Sequence, residues 1–152
     1  MKKNKQKQTL HLILKKEWFD AIVFGDKREE YRDLTDFWIN RLLAKESYLS
    51  QSLREIPFKI RSLSTLQLQN QLSIVSDNDL GIKQKYDWQT ITFQLGYAKD
   101  APRAIFKFKG LQIKAPKKEW FPFETIEGLG LDFDIWAQNH LFFAIEIGER
   151  LG

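Results

Sequence analysis

The chain of 152 residues fits a single domain, and about 70% of a chain this size is buried on folding. Apolar types make up 43%, charged types 29% and aromatic types 14%, which excludes a disordered or fibrous protein. The lack of cysteine excludes disulfides, thiolate metal sites and a cysteine nucleophile, and is in keeping with an intracellular address. His11 and His140 are too few for a three-histidine zinc site, and neither has the serine and carboxylate neighbours of a hydrolase triad. The net charge of +4 equals the contribution of Lys2, Lys3, Lys5 and Lys7, so the body of the chain is balanced. Within it, residues 8–82 carry 10 basic and 11 acidic side chains, residues 83–118 carry 9 and 2, and residues 119–152 carry 1 and 7. A fold that keeps the basic middle on one face gives that face an attraction for phosphates; pairing of the middle with the acidic end cancels it.

In chain order, residues 1–8 read as a basic, disordered tail. Thr9 to Leu14 is short, apolar and β-capable, too short to span a membrane and without a small-residue cleavage site, so a cytoplasmic protein is expected. From Glu17 to Phe24, Trp18, Phe19, Ile22 and Val23 fall at helical spacing, and Gly25 stands where a C-cap is expected. As a strand, Lys27 to Arg32 would put Lys27, Glu29 and Tyr31 on one face and Arg28, Glu30 and Arg32 on the other. Asp36 is expected to cap a helix running to Lys45, with Phe37, Trp38, Arg41 and Leu42 on a mixed face. Residues 46–86 are rich in Ser and Gln, including Gln67, Gln69, Asn70 and Gln71, and read as an insertion; Ile56, Phe58 and Ile60 alternate as in a strand.

Alternation is clearer over Trp88 to Leu95 and again over Ala104 to Ile113, where Lys107 and Lys109 face away from Phe106 and Phe108. These read as neighbouring antiparallel strands joined by the loop from Gly96 to Pro102. After Trp120, Phe121, Pro122 and Phe123, a short helix is expected over 134–139 and a last strand over Leu141 to Ile147. Strands outnumber long helices. The expected fold class is α+β: a small β-barrel with short helices on its flank, occupying residues 9–152 with the insertion inside it.

The segment Gly25-Asp26-Lys27-Arg28-Glu29-Glu30-Tyr31-Arg32 reads G-x-K-x-x-E-x-R and follows a strand and a helix bearing Lys15-Lys16-Glu17-Trp18-Phe19. In that order and spacing the chain resembles the ASCH domain family, whose members have a PUA-like β-barrel; the likeness covers roughly residues 9–45, 88–115 and 141–148. The resemblance implies a domain that binds RNA or a nucleotide in a cleft beside the first helix, lined by the charges of the motif. Some members are amidohydrolases of acetylated cytidine and others are linked to RNA cleavage. In the amidohydrolases, the position matching Glu30 is a threonine of the catalytic set, and a carboxylate cannot replace that hydroxyl in the same acyl chemistry.

The residue chemistry gives each position a role and a plainer alternative. Lys27 is a compact cation for a phosphate or carbonyl, Glu30 accepts from a base edge or from Arg32, and Arg32 offers a planar fork. Their alternative is an ion-pair lattice tying the strand to its neighbours. Tyr31 and Tyr97 are the aromatics placed to meet a base, against ordinary packing. Lys15 and Lys99 complete the expected binding set, while Arg103, Lys107 and Lys109 are either a solvated strand face or a phosphate track. Trp18, Trp38, His11 and His140 are read as structural. Should the protein be an enzyme, Lys27 and Glu30 are its catalytic pair, acting on an acetylated nucleoside or on RNA. The partners expected are RNA or a nucleotide-like small molecule, with no cofactor, metal or membrane. A third reading makes the acidic end and the polar insertion a surface for a protein partner.

Overall fold

The computed structural model describes residues 8–63, 68–70, 72–73, 82–121 and 127–152. Lys2, Lys3, Lys5 and Lys7 of the tail, Gln67 and Gln71 of the polar segment, and Pro122 and Phe123 lie outside them. The chain is α+β, with strands β1 (Thr9–Leu14), β2 (Glu29–Arg32), β3 (Thr90–Leu95), β4 (Arg103–Lys114) and β5 (Phe142–Arg150). They form a curled mixed sheet in the order β1-β3-β4-β5-β2. The described residues include helices α1 (Lys16–Val23), α2 (Asp36–Leu42), α3 (Tyr48–Glu55), α4 (Phe58–Arg61) and α5 (Phe133–Gln138). The chain divides into two compact units, one of Met1–Glu30, Tyr86–Gly110 and Ile145–Gly152, the other of Tyr31–Lys85 and Leu111–Ala144.

In the first unit, β1 pairs parallel with β3, and β3 pairs antiparallel with β4 as the alternation predicts, their loop closed by the Leu95 N–H on Pro102 O at 2.9 Å. The period of two sorts the side chains. Leu10, Leu12, Leu14, Ile91, Phe93, Ala104 and Phe106 are buried, with Phe93 and Phe106 meeting edge to face at 5.7 Å. Thr9, His11, Thr90, Thr92, Arg103, Ile105 and Lys107 alternate with them, partly or fully exposed. Helix α1 packs on β3 and buries Phe19 and Ile22, each worth about 1.5–3 kcal/mol of apolar transfer. Its last turn ends at Phe24 with αR geometry, so Gly25 is not the left-handed cap the sequence suggests. The glycine is needed for close approach: a Cβ there would lie 2.7 Å from Ala21 O.

In the second unit, Thr35 rather than Asp36 caps α2, its hydroxyl accepting from Trp38 N–H at 3.2 Å. Asp36 is spared for an ion pair with Arg61 Nη1 at 2.7 Å. Helix α2 stops at Leu42, short of Lys45, where Leu43 forms a bridge to Gln84. The strand expected over Ile56 to Ile60 is instead helix α4, with Pro57 at its N-cap and φ −54°, a dihedral proline fixes and helices accept. Ile60 is exposed while Ile56 is fully buried, so three alternating residues were too few to define a face. Arg61, 3% exposed, donates to Ile56 O and Leu34 O and so satisfies carbonyls that the irregular chain leaves open. Helix α5 is capped by Asp132 and buries Phe133 and Ala137 against Ala115, Phe121 and Trp136.

Candidate functional site

Lys27 and Glu30 end the first unit, and the glycine turn decides where they go. Because the chain doubles back onto α1 at Gly25, the Lys27 N–H reaches Ala21 O at 3.2 Å and its side chain runs toward the first turn of the helix. There Nζ lies 4.1 Å from the centroid of the Trp18 ring and donates to Glu30 Oε1 at 2.7 Å. Their side chains are 3% and 8% exposed, so this is a buried ion pair on an aromatic face. The alternation expected over Lys27 to Arg32 fails at its first residue. Strand β2 begins only at Glu29, and Lys27, outside it, meets Glu30 across three residues. Arg28 turns outward but is tied down, donating to Lys27 O at 2.9 Å, while its carbonyl accepts from Ile147 N–H at 2.9 Å.

The same helical turn gathers other expected residues. Helix α1 opens with Trp18 N–H and Phe19 N–H on Lys15 O, and the preceding Leu14 O accepts from Gly96 N–H at 3.0 Å. Lys15 and Tyr97 therefore each lie one residue beyond that bond, at the carboxyl end of the parallel pair β1 and β3. Gly96, at φ 73°, takes a left-handed conformation that lets the loop leave the strand. Tyr97 is 87% exposed, and Lys15 and Lys99 are exposed beside it. The first turn of α1 thus has a charged, aromatic floor of Lys27, Glu30 and Trp18 and an exposed margin of Lys15 and Tyr97.

Tyr31 and Arg32 open the second unit. The Tyr31 hydroxyl accepts from Lys117 N–H at 3.0 Å and its ring meets Phe121 edge-on at 6.1 Å, a packing role. The Arg32 guanidinium lies 4.8 Å from the Trp38 centroid, and Arg41 lies 5.7 Å from the same ring. Burial first, and the like charge of Arg32 second, hold Arg41 below the ordinary arginine range. A hollow of about 210 Å³ in this unit is lined, among the described residues, by Asp33, Leu34, Lys59 and Ser62, none of them a candidate from the sequence.

Sequence reasoning passed over both tryptophans as core residues. Each is half-buried beneath a cation, and the one signal for it is the recurrence of Trp with Lys or Arg, which spacing alone does not interpret. His140 Nδ1 lies 2.7 Å from Trp136 O and its ring stacks on Trp136 at 4.3 Å. Among the described residues no helix is long and apolar enough to cross a membrane, and no group of three or more His, Asp or Glu is placed to hold a metal ion. Comparison of the chain with protein-family models, curated proteins and solved structures returned no match.

Proposed function

We propose that the chain is an ASCH-type domain of PUA-like fold that binds RNA or a nucleotide at the first turn of α1. The observation that carries this reading is the buried Lys27–Glu30 pair against Trp18. Two ions taken out of water cost several kcal/mol each, and a well-packed apolar pair of similar volume is commonly as stable or more so. Stability is therefore a poor reason to keep the pair, whereas recognition of a polar guest is a good one. An ammonium beside a carboxylate puts a donor and an acceptor side by side, the complement of a base edge that presents an acceptor next to a donor, as cytosine N3 does beside its amino group. Trp18 supplies a ring for the base, and Lys15 and Tyr97 at the margin supply a cation and a second ring. Where the amidohydrolases of that family have a catalytic threonine this chain has Glu30, already engaged with Lys27, so binding rather than acyl hydrolysis is the reading supported.

The test is binding of cytidine monophosphate and of a short single-stranded RNA, by calorimetry and fluorescence anisotropy. The Lys27→Met/Glu30→Leu double variant, which keeps volume while removing both charges, is expected to fold and to lose at least tenfold in affinity for both. Parental affinity in that variant, or no binding by the parent, refutes the proposal.

A further inference from the structure

We infer that the outward face of β3 and β4 is a separate track for the phosphodiester backbone of a single-stranded nucleic acid, one phosphate to each of Arg103, Lys107 and Lys109. It shares the ligand class of the proposed function and none of its residues. These three cations and Ile105 occupy alternate positions of β4 and are exposed. Alternate residues of a strand stand about 6.8 Å apart, so Lys107 and Lys109 are one such step apart and Arg103 is two steps from Lys107, a straight row rather than a cluster for one small anion.

The row is kept charged by what its neighbours lack. In β5 the residue beside the two lysines is Gly148, where a Cβ would come within 3.0 Å of both Lys107 Cβ and Lys109 Cγ. The lysine stems lean over bare backbone, and no side chain from that strand stands between them. Glu146 Oε2 lies beside Gly110 instead, and neither lysine enters an ion pair among the described residues. Arg103 is aimed by a network. Gln94 Nε2 donates to Gly96 O at 2.8 Å, which leaves Oε1 as its acceptor for Arg103 Nε at 3.2 Å and His11 Nε2 at 2.9 Å. The guanidinium is thereby anchored through Nε alone, and its terminal nitrogens make no hydrogen bond among the described residues.

The surroundings favour a nucleic acid over an anionic membrane. Cross-strand from Lys107 and Ile105 lie Thr90 and Thr92, half-buried hydroxyls able to bond sugar and phosphate oxygens. Ile105, 39% exposed, is the one apolar side chain in the β4 row from Arg103 to Lys109, too little to enter a bilayer.

The experiment uses the full chain, a fluorescent twelve-nucleotide oligouridylate, and a salt series. Lys107→Gln/Lys109→Gln is expected to weaken oligonucleotide binding tenfold or more at low salt and to flatten the log-log salt slope by about 1.4, two single-strand phosphate contacts. Ile105→Glu, which sets an anion within the row without touching a lysine, is expected to weaken it as well. Cytidine monophosphate binding should be unchanged in both variants, which separates this face from the site at α1. Parental affinity and slope in both variants overturn the inference. So does a parent that binds phosphatidylserine vesicles through these lysines while ignoring the oligonucleotide.

Discussion

Replacing Lys27 by Met removes the ammonium from a carboxylate that stays buried. At 2.7 Å and an effective dielectric constant of about 20, the gross attraction of the pair is about 6 kcal/mol. Desolvation of two ions offsets most of it, so the pair itself contributes little net stability, but loss of one member costs about 3–5 kcal/mol. In a chain of this size each kcal/mol moves Tm by about 2–4 °C, so Lys27→Met is expected to melt about 6–20 °C below the parent. Lys27→Met/Glu30→Leu removes the orphaned charge too and is expected within about 2 kcal/mol of the parent, or above it. Urea denaturation followed by tryptophan fluorescence measures both, with an unchanged m value as the check that the denatured state is the same. A single variant within 1 kcal/mol of the parent, or a double variant less stable than the single, would show that the pair is not the desolvated contact described.

Three further substitutions probe the framework. Gly25→Ala puts a methyl 2.7 Å from Ala21 O and is expected to lose about 1–3 kcal/mol in thermal melting, with Gly128→Ala, which meets nothing, as the control. Arg61→Lys keeps the charge but cannot reach Ile56 O, Leu34 O and Asp36 together; a loss of about 2–4 kcal/mol in chemical denaturation is expected, and parental stability would contradict the fork geometry. A double-mutant cycle with Arg32→Gln and Arg41→Gln is expected to return a repulsive coupling of about 0.5 kcal/mol, in line with the lowered Arg41 pKa; an attractive coupling would refute that origin.

The parts of the fold legible in the sequence are those with a long apolar period. Strand β4 alternates over enough residues to separate Phe106 from Lys107, and α1 repeats its apolar positions over two turns, so both are found with their buried faces. Ile56 to Ile60 has three alternating positions and a proline, and there local chain geometry prevailed over pattern. The candidate site divides in the same way. The motif from Gly25 to Arg32 marks where charge is concentrated, but the partner of Lys27 depends on how tightly the chain doubles back at Gly25, a matter of one missing Cβ.

By itself the sequence determined strands β1, β3 and β4 and helix α1, the apolar faces of α1, β3 and β4, and the separation of a basic middle from an acidic end. Tertiary structure decided the sheet order β1-β3-β4-β5-β2, the burial of Lys27 with Glu30, and the bare glycine beside Lys107 and Lys109. The reason is physical: periodicity records which side of an element avoids water, a property of neighbours a few residues apart. Which distant strand covers that side, and what it leaves uncovered on the other, depends on register between segments dozens of residues apart.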